Sequence, residues 1–281
     1  MIFFADLDGT FVTTTKDITP ASWAALDAVA AAGSVFVPCT GRPFTNVNRE
    51  LLAHPSVGYV VSANGAAIFD GRTGEALHRV CLGKERAHEI YDIVNGRDDV
   101  TFDVFADGAV YVTRENYEKL PEVVPEPYML KTIRRSRTPL DKTVPQIIDG
   151  VEELERISMY CSDPGTLRSI WTEVEKVDRL SVVHSYPTNI EIMDADGTKG
   201  KALVWVCDQL GMPVEDSVAF GDSLNDISMI EAAGLGVAVA NAEDEVRAAA
   251  DLIAPSNDDD GVAKVIMDCL EGRTGRQCNR L

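Results

Sequence analysis

An apolar run at residues 2–5 stops abruptly at two carboxylates one residue apart, Asp6 and Asp8, followed by Gly9 and Thr10. No other stretch limits the possible folds as much. The run reads as a short buried strand. In an extended chain residues i and i+2 point to the same side, so Asp6 and Asp8 face one site if the strand persists. If the chain turns instead, Gly9 permits the turn. Two anions crowded at a strand end repel one another and need a cation, a shared proton or a substrate charge to offset them. A hard divalent cation with oxygen ligands is the simplest partner. A hairpin turn, for which Asp-Gly is a common signal, explains the same residues equally well on local grounds.

The rest of the chain narrows this choice. Residues 20–32 carry Trp23, Leu26 and Val29 at helical spacing, with Thr19 as N-cap, Pro20 at the first helical position and Gly33 as C-cap. A second apolar run at 35–39 ends in Thr40, Gly41, Arg42 and Pro43, a helix is expected over 44–53, and a third strand at 59–62 ends at Asn64 and Gly65. Strand and helix alternating at this spacing imply a parallel sheet with right-handed crossovers. From about residue 82 the pattern changes. Hairpins are expected at 102–112 across Asp107-Gly108 and at 180–193 around Pro187, with helices at 84–95 and 167–177 and a strand at 157–161. Residues 115–145 read as irregular and proline-bearing, with a basic cluster (Lys131, Arg134, Arg135, Arg137, Lys142) that suits a solvated face better than substrate recognition. Alternation returns after Lys199: helices at 201–210, 227–233, 243–250 and 262–270, strands at 217–220, 235–239 and 252–254, and a polar tail, expected to fray, beyond Gly272.

Composition excludes several functions. The net charge of −19 over 281 residues leaves no basic footprint for nucleic acid. An anionic substrate would need a local positive site or a metal. Six scattered cysteines without a CxxC pair read as small buried hydrophobes of a reducing compartment. No signal peptide and no membrane-spanning stretch is expected, so the protein is read as cytoplasmic, with no membrane and no obligate protein partner.

Four polar clusters flank elements of the α/β parts: Asp6/Asp8, Thr40/Gly41/Arg42, Lys199 and Asp222/Asn225/Asp226. Three immediately follow expected strands, and open parallel sheets bind ligands beyond the carboxyl ends of their strands. Together they suit phosphoryl transfer. One carboxylate can attack phosphorus, and a second can move the leaving-group proton. Hydroxyl, amide and ammonium groups can hold phosphoryl oxygens, and the remaining acids can bind Mg²⁺.

The chain resembles the haloacid-dehalogenase superfamily of phosphatases, specifically the Cof-type (subclass IIB) branch with a large α/β cap. Asp6-Leu7-Asp8-Gly9-Thr10 matches its first motif, Thr40-Gly41-Arg42-Pro43 the second, Lys199-Gly200 the third, and Gly221-Asp222-Ser223-Leu224-Asn225-Asp226 the fourth, with Phe11 where the family usually has Leu. The resemblance implies an α/β fold, a Rossmann-like three-layer parallel-sheet core at 1–82 and 189–281 with an inserted α+β cap at 83–188. It implies a Mg²⁺-dependent phosphatase of a small phosphorylated metabolite such as a sugar phosphate, acting through an aspartyl phosphate. Asp6 would be nucleophile and metal ligand, and Asp8 general acid/base and a ligand through its backbone carbonyl. Lys199 would neutralise Asp6 and the phosphoryl oxygens. Thr40, Gly41, Arg42 and Asn225 would bind the phosphoryl group or substrate. Asp222 would bind metal, and Asp226 would bind metal or orient its neighbours. The competing readings are a phosphotransferase or mutase using the same aspartate, and a non-enzymatic phospho-aspartate switch. The inserted cap and Asp8 argue against the switch.

Overall fold

The structure is a computed structural model and describes residues 1–273. Cys278 and the polar tail from residue 274 on lie outside the described residues. The chain forms two units, one of Met1–Thr40, Val47–His78 and the chain from Thr198 on, the other of Gly41–Asn46 and Arg79–Gly197.

The first unit is built on a five-stranded sheet ordered Leu252–Ala254, Leu235–Val239, Ser217–Gly221, Ile2–Ala5, Val35–Pro38, parallel throughout. The first strand is central. From it the chain steps to one side at Val35–Pro38, then returns on the other side at Ser217–Gly221, so the strand order reverses at Ile2–Ala5. At such a reversal the flanking loops diverge and open a crevice beyond the carboxyl ends. Both sheet faces are buried, which is why the strands are almost wholly apolar. Ile2, Phe4, Val37 and Ala219 pack with Leu203, Val206 and Cys207 of helix Lys199–Leu210 and with Met229 of helix Ile227–Ala232. The alternate residues Phe3, Phe36 and Phe220 are equally buried on the opposite face. Helix Pro20–Ala31 starts where the sequence predicts: Thr19 accepts from the Ser22 amide and Pro20 fills the first position, where no N–H is missed.

Strand Tyr59–Ser62 departs from expectation. It forms no ladder with the parallel sheet among the described residues: Cys39 bridges Val61 within the strand, and Phe36 bridges Val57 just before it. Its ladder partner is Ala67–Asp70, antiparallel, in a three-stranded sheet completed by Ala76–Arg79. The helix expected over 44–53 is reduced to a 3-10 turn, Phe44–Asn46, and one helical turn, Arg49–Leu52, capped by Asn48.

The second unit is α+β. Its six-stranded sheet runs Leu180–Val183, Asn189–Asp194, Leu154–Tyr160, Asp103–Ala106, Ala109–Thr113, Arg137–Leu140, antiparallel except for the last pair. Residues Asn189–Asp194 therefore belong to this sheet, paired on both edges, and the return to the first unit comes at Thr198 rather than at 189. The stretch 115–145 is not irregular. It holds helices Arg114–Val123, Pro127–Ser136 and Val144–Gly150 and strand Arg137–Leu140. Two of its prolines sit where they cost little, Pro127 at a helix start and Pro139 on an edge strand, whereas Pro121 lies inside helix Arg114–Val123, near its end. Arg137 of the basic cluster is buried, its Nε 2.9 Å from Asp103. Cys39, Cys161, Cys207 and Cys269 are buried and Cys81 is half-buried, none of them in a disulfide among the described residues. Among the described residues no helix is long and apolar enough to cross a membrane.

Close backbone approach predicts one sharp contrast. Gly65 has φ +109°, and a Cβ there would lie 2.2 Å from the Thr198 carbonyl. Gly33 has φ +64° with open space around it. Gly33→Ala should lose only the roughly 1–2 kcal/mol of a left-handed residue. Gly65→Ala should lose clearly more, because backbone must move. Urea unfolding of the two variants decides, and equal losses would contradict the packing.

Candidate active site

The strand ends assemble an acidic site around a lysine. Asp6 directly follows Ile2–Ala5 and continues its pairing, its amide donating to the Phe220 carbonyl at 3.0 Å. The chain then folds back, and the Phe11 amide donates to the Asp6 carbonyl at 3.1 Å. Gly9 makes this loop possible: its φ is +92°, and a Cβ there would lie 2.7 Å from Asp222 Oδ2. The loop separates the two carboxylates that an extended strand would keep together. The Asp6 side chain is 9% exposed, whereas Asp8 is 36% exposed and pairs with Lys16 at 2.8 Å.

Lys199 opens helix Lys199–Leu210 and is fully buried. Its Nζ donates to Asp6 Oδ1 and to Asp226 Oδ1, each at 2.6 Å. The second Asp226 oxygen accepts from the backbone amides of Asp222 and Ser223, at 2.9 and 3.0 Å. Asp222 accepts from the Thr10 hydroxyl at 2.6 Å and from the Ser223 hydroxyl at 3.0 Å. Gly221 lets the acidic loop close this tightly, since a Cβ there would sit 2.3 Å from Asp226 Cβ.

The electrostatics follow from burial. Desolvation raises the Asp6 carboxyl well above its usual range; Lys199 opposes this, while Asp226, Asp222 and Asp8 push it further up. Burial, then the charge of Asp226, pushes Asp222 up to about 6. Burial alone would lower the Lys199 ammonium, but Asp226 and Asp6 outweigh it and hold it well above its ordinary value. Burial also drives the Cys39 thiol far up although Lys199 lies close, so it does not supply a thiolate.

Asp6, Asp222 and Asp226 each offer a carboxylate oxygen, all within 4.8 Å of one another. When all three carboxylates are ionised, one ammonium offsets only one of them and two negative charges remain uncompensated. The donor set is oxygen only and hard, so it fits a divalent cation such as Mg²⁺. The Asp8 side chain stands outside this group.

Of the remaining expected residues, Thr40 is buried beside the third strand, its amide donating to the Val61 carbonyl at 2.9 Å. Asn225 is buried and its Nδ2 donates to Asn64 Oδ1 at 3.1 Å. Gly41 and Arg42 belong to the second unit: the Gly41 carbonyl accepts from Arg156 at 2.7 Å, and Arg42 donates to the Asn46 carbonyl at 3.4 Å. Sequence reading assigns no role to several residues that hold the site. Thr10 and Ser223 lie inside the motifs, and their hydroxyls beside an acid were the available clue. Lys16 carries no motif. Asn241 lies in a stretch, Ala238 to Ala242, that also resembles the family, and the fold gives it a partner: it donates to the Gly9 carbonyl at 2.8 Å.

The family model of haloacid dehalogenase-like hydrolases matches residues 3–266. The chain is 30% identical to the phosphatase YwpJ of Bacillus subtilis (strain 168), over 94% of this chain and 98% of that protein. It is 29% identical to the 5-amino-6-(5-phospho-D-ribitylamino)uracil phosphatase YwtE of the same organism, over 95% and 97%. Among solved structures it is similar to a haloacid dehalogenase-like hydrolase from B. subtilis, with a TM-score of 0.82 and 28% identity over 95% of this chain and 98% of that one. With the acid–lysine site at the strand reversal and a match across nearly its whole length, the chain belongs to the haloacid dehalogenase-like hydrolases and is an enzyme of their phosphatase branch.

Proposed function

We propose that the protein is a Mg²⁺-dependent phosphatase of a small phosphorylated metabolite, working through an aspartyl phosphate on Asp6. The observation that carries this reading is Lys199, buried and shared between Asp6 and Asp226 beside Asp222. Lys199 holds one Asp6 oxygen, which leaves the other to attack phosphorus. A bond forms from that oxygen to phosphorus while the ester oxygen–phosphorus bond breaks. Asp8, the more open carboxyl, donates its proton to the departing alkoxide. As carboxylate it then takes a proton from water, whose oxygen attacks phosphorus and releases phosphate and Asp6. Thr40, the Gly41 amide and Asn225 would bind the phosphoryl oxygens, with Arg42 as a further substrate contact. Asp6, Asp222 and the Asp8 carbonyl would hold the cation. When bound, Mg²⁺ offsets the charge of the carboxylates and of the phosphoryl group. Asp226, whose two oxygens accept from Lys199 and two amides, would hold Lys199 and complete the acidic set around the cation. The substrate class is a small phosphate ester with a polar leaving group, as in the relative named for a ribitylaminouracil phosphate.

Asp6→Asn should fold normally and release phosphate from p-nitrophenyl phosphate at under about one hundredth of the wild-type rate. Activity above that level would remove Asp6 as nucleophile. Phosphate appearing on a second hydroxyl instead of free in solution would make the enzyme a transferase.

The raised Asp222 carboxyl gives a pH signature. Its folded pKa of about 6 lies above the ordinary 3.8, so the unfolded chain releases this proton first. In chelator, stability should therefore fall as pH rises through that window. Because binding needs ionised carboxylates, excess Mg²⁺ should raise the melting temperature more at about pH 7.5 than at about pH 5. A uniform gain, or none, would count against a carboxylate cation site.

Lys199→Met leaves two buried carboxylates without their cation and should cost about 3–5 kcal/mol in metal-free protein. Asp226→Asn in that background should restore part of the loss, measured by chemical unfolding.

A further inference from the structure

Asn225 is only half accounted for by its neighbours. Its Nδ2 donates to Asn64 Oδ1 at 3.1 Å, while its own Oδ1 is buried and accepts nothing from the described residues. A carboxamide is asymmetric: one end donates twice and the other only accepts. Turned half around, it fills the same volume with opposite polarity. Facing phosphoryl oxygens, one orientation attracts and the other repels. Volume and packing cannot select between them, so a hydrogen bond has to.

We infer that Asn64 is a positioning residue for Asn225. Its side-chain oxygen takes one amide hydrogen of Asn225 and so fixes the carboxamide with its second hydrogen presented to a phosphoryl oxygen. This inference rests on the phosphatase reading above.

The backbone around Asn64 is built for such a task. After strand Tyr59–Ser62, Ala63 and Asn64 take φ values of 50° and 62° in succession, and Gly65 follows at 109°. Asparagine tolerates the left-handed region, but alanine does so at a cost of roughly 1–2 kcal/mol. An ordinary Asn-Gly turn faces solvent, whereas Asn64 is 1% exposed. The Asn64 amide donates to the Thr40 carbonyl at 3.1 Å, and Gly65 bridges Thr198, the residue before Lys199. The turn is thus tied to the second strand's loop, to the start of the lysine helix and, through its side chain, to the acidic loop. Strain of this kind persists where surrounding structure over-determines it, and it clusters at functional sites.

Two variants separate positioning from mere support. Asn64→Gly keeps the left-handed backbone and removes the acceptor. Asn64→Asp restores an acceptor on a residue that tolerates the backbone, but adds a negative charge. Melting temperature, kcat and KM for a small phosphate ester, and the calorimetric Kd of inorganic phosphate, all in Mg²⁺ buffer, are compared with wild type. Asn64→Gly is expected to weaken phosphate binding and raise KM about tenfold, with a lower kcat. Asn64→Asp is expected to recover kcat while KM for the anionic ester stays high. Adding Asn64→Gly to Asn225→Ala is expected to cost nothing further, because the two act through one interaction. Phosphate binding by Asn64→Gly within about twofold of wild type, or simple additivity of the two changes, overturns the assignment. Failure of the wild-type chain to release phosphate from any ester would instead defeat the phosphatase reading, and the phosphate Kd and its double-mutant cycle still judge Asn64.

Discussion

The first unit depends on keeping one ammonium group ionised out of water. Lys199 is fully buried, and removing such a charge from solvent costs several kcal/mol unless it is paired at close range. The surrounding backbone supplies that pairing. Gly221 brings Asp226 against the end of strand Ser217–Gly221, and Gly200 lets the lysine helix lie on the Ser228 carbonyl, 2.2 Å from where a Cβ would be. The placement also works against the helix. A lysine at the first position meets the positive end of the macrodipole. Broken local rules without local compensation mark functional positions, and here the compensation is tertiary, from Asp6 and Asp226.

The core and its site were legible in the sequence because both follow from local patterns. Apolar runs ending in polar clusters locate strand ends, and strand ends locate the site. The strand order was not legible: nothing in residues 217–221 says that they pair beside residues 2–5. The alternation in Asn189–Asp194 suits either unit, and only pairing on both edges places it in the second sheet. Residues 115–145 read as irregular from their proline content, but the cost of a proline depends on its place within an element. At a helix start or an edge strand they break nothing. The basic cluster there misled for a related reason: Arg137 is a charge on the sequence but half of a buried pair in the fold.

That buried pair belongs to a two-faced sheet. In Leu154–Tyr160, Ile157 and Met159 enter the apolar core of the second unit, whereas the alternate residues Arg156, Ser158 and Tyr160 face the other way. Arg156 pairs with Glu191 at 2.8 Å and lies 3.8 Å over the Phe105 ring, and Arg137 pairs with Asp103. Buried pairs of this kind add little net stability over apolar side chains of similar size. The apolar face therefore accounts for the folding of this sheet, and its charged face needs another reason to exist.

Asp6 and Asp8 show how one turn gives two identical residues, one apart in sequence, different surroundings. The rule that i and i+2 share a side holds only while the strand lasts, and this strand ends at Ala5. Beyond it the Phe11 amide closes onto the Asp6 carbonyl and Gly9 passes through φ +92°. Asp6 is left sealed among like charges with one oxygen on Lys199, while Asp8 keeps contact with solvent and Lys16. Environments this different suit two identical carboxyl groups to different tasks, and the proposed division between nucleophile and proton carrier draws on that difference. The sealed acid is costly alone: burial and its acidic neighbours favour its neutral form, in which it attacks nothing. Lys199 removes part of that obstacle, and a cation held by the same carboxylates, as proposed above, would remove more of it.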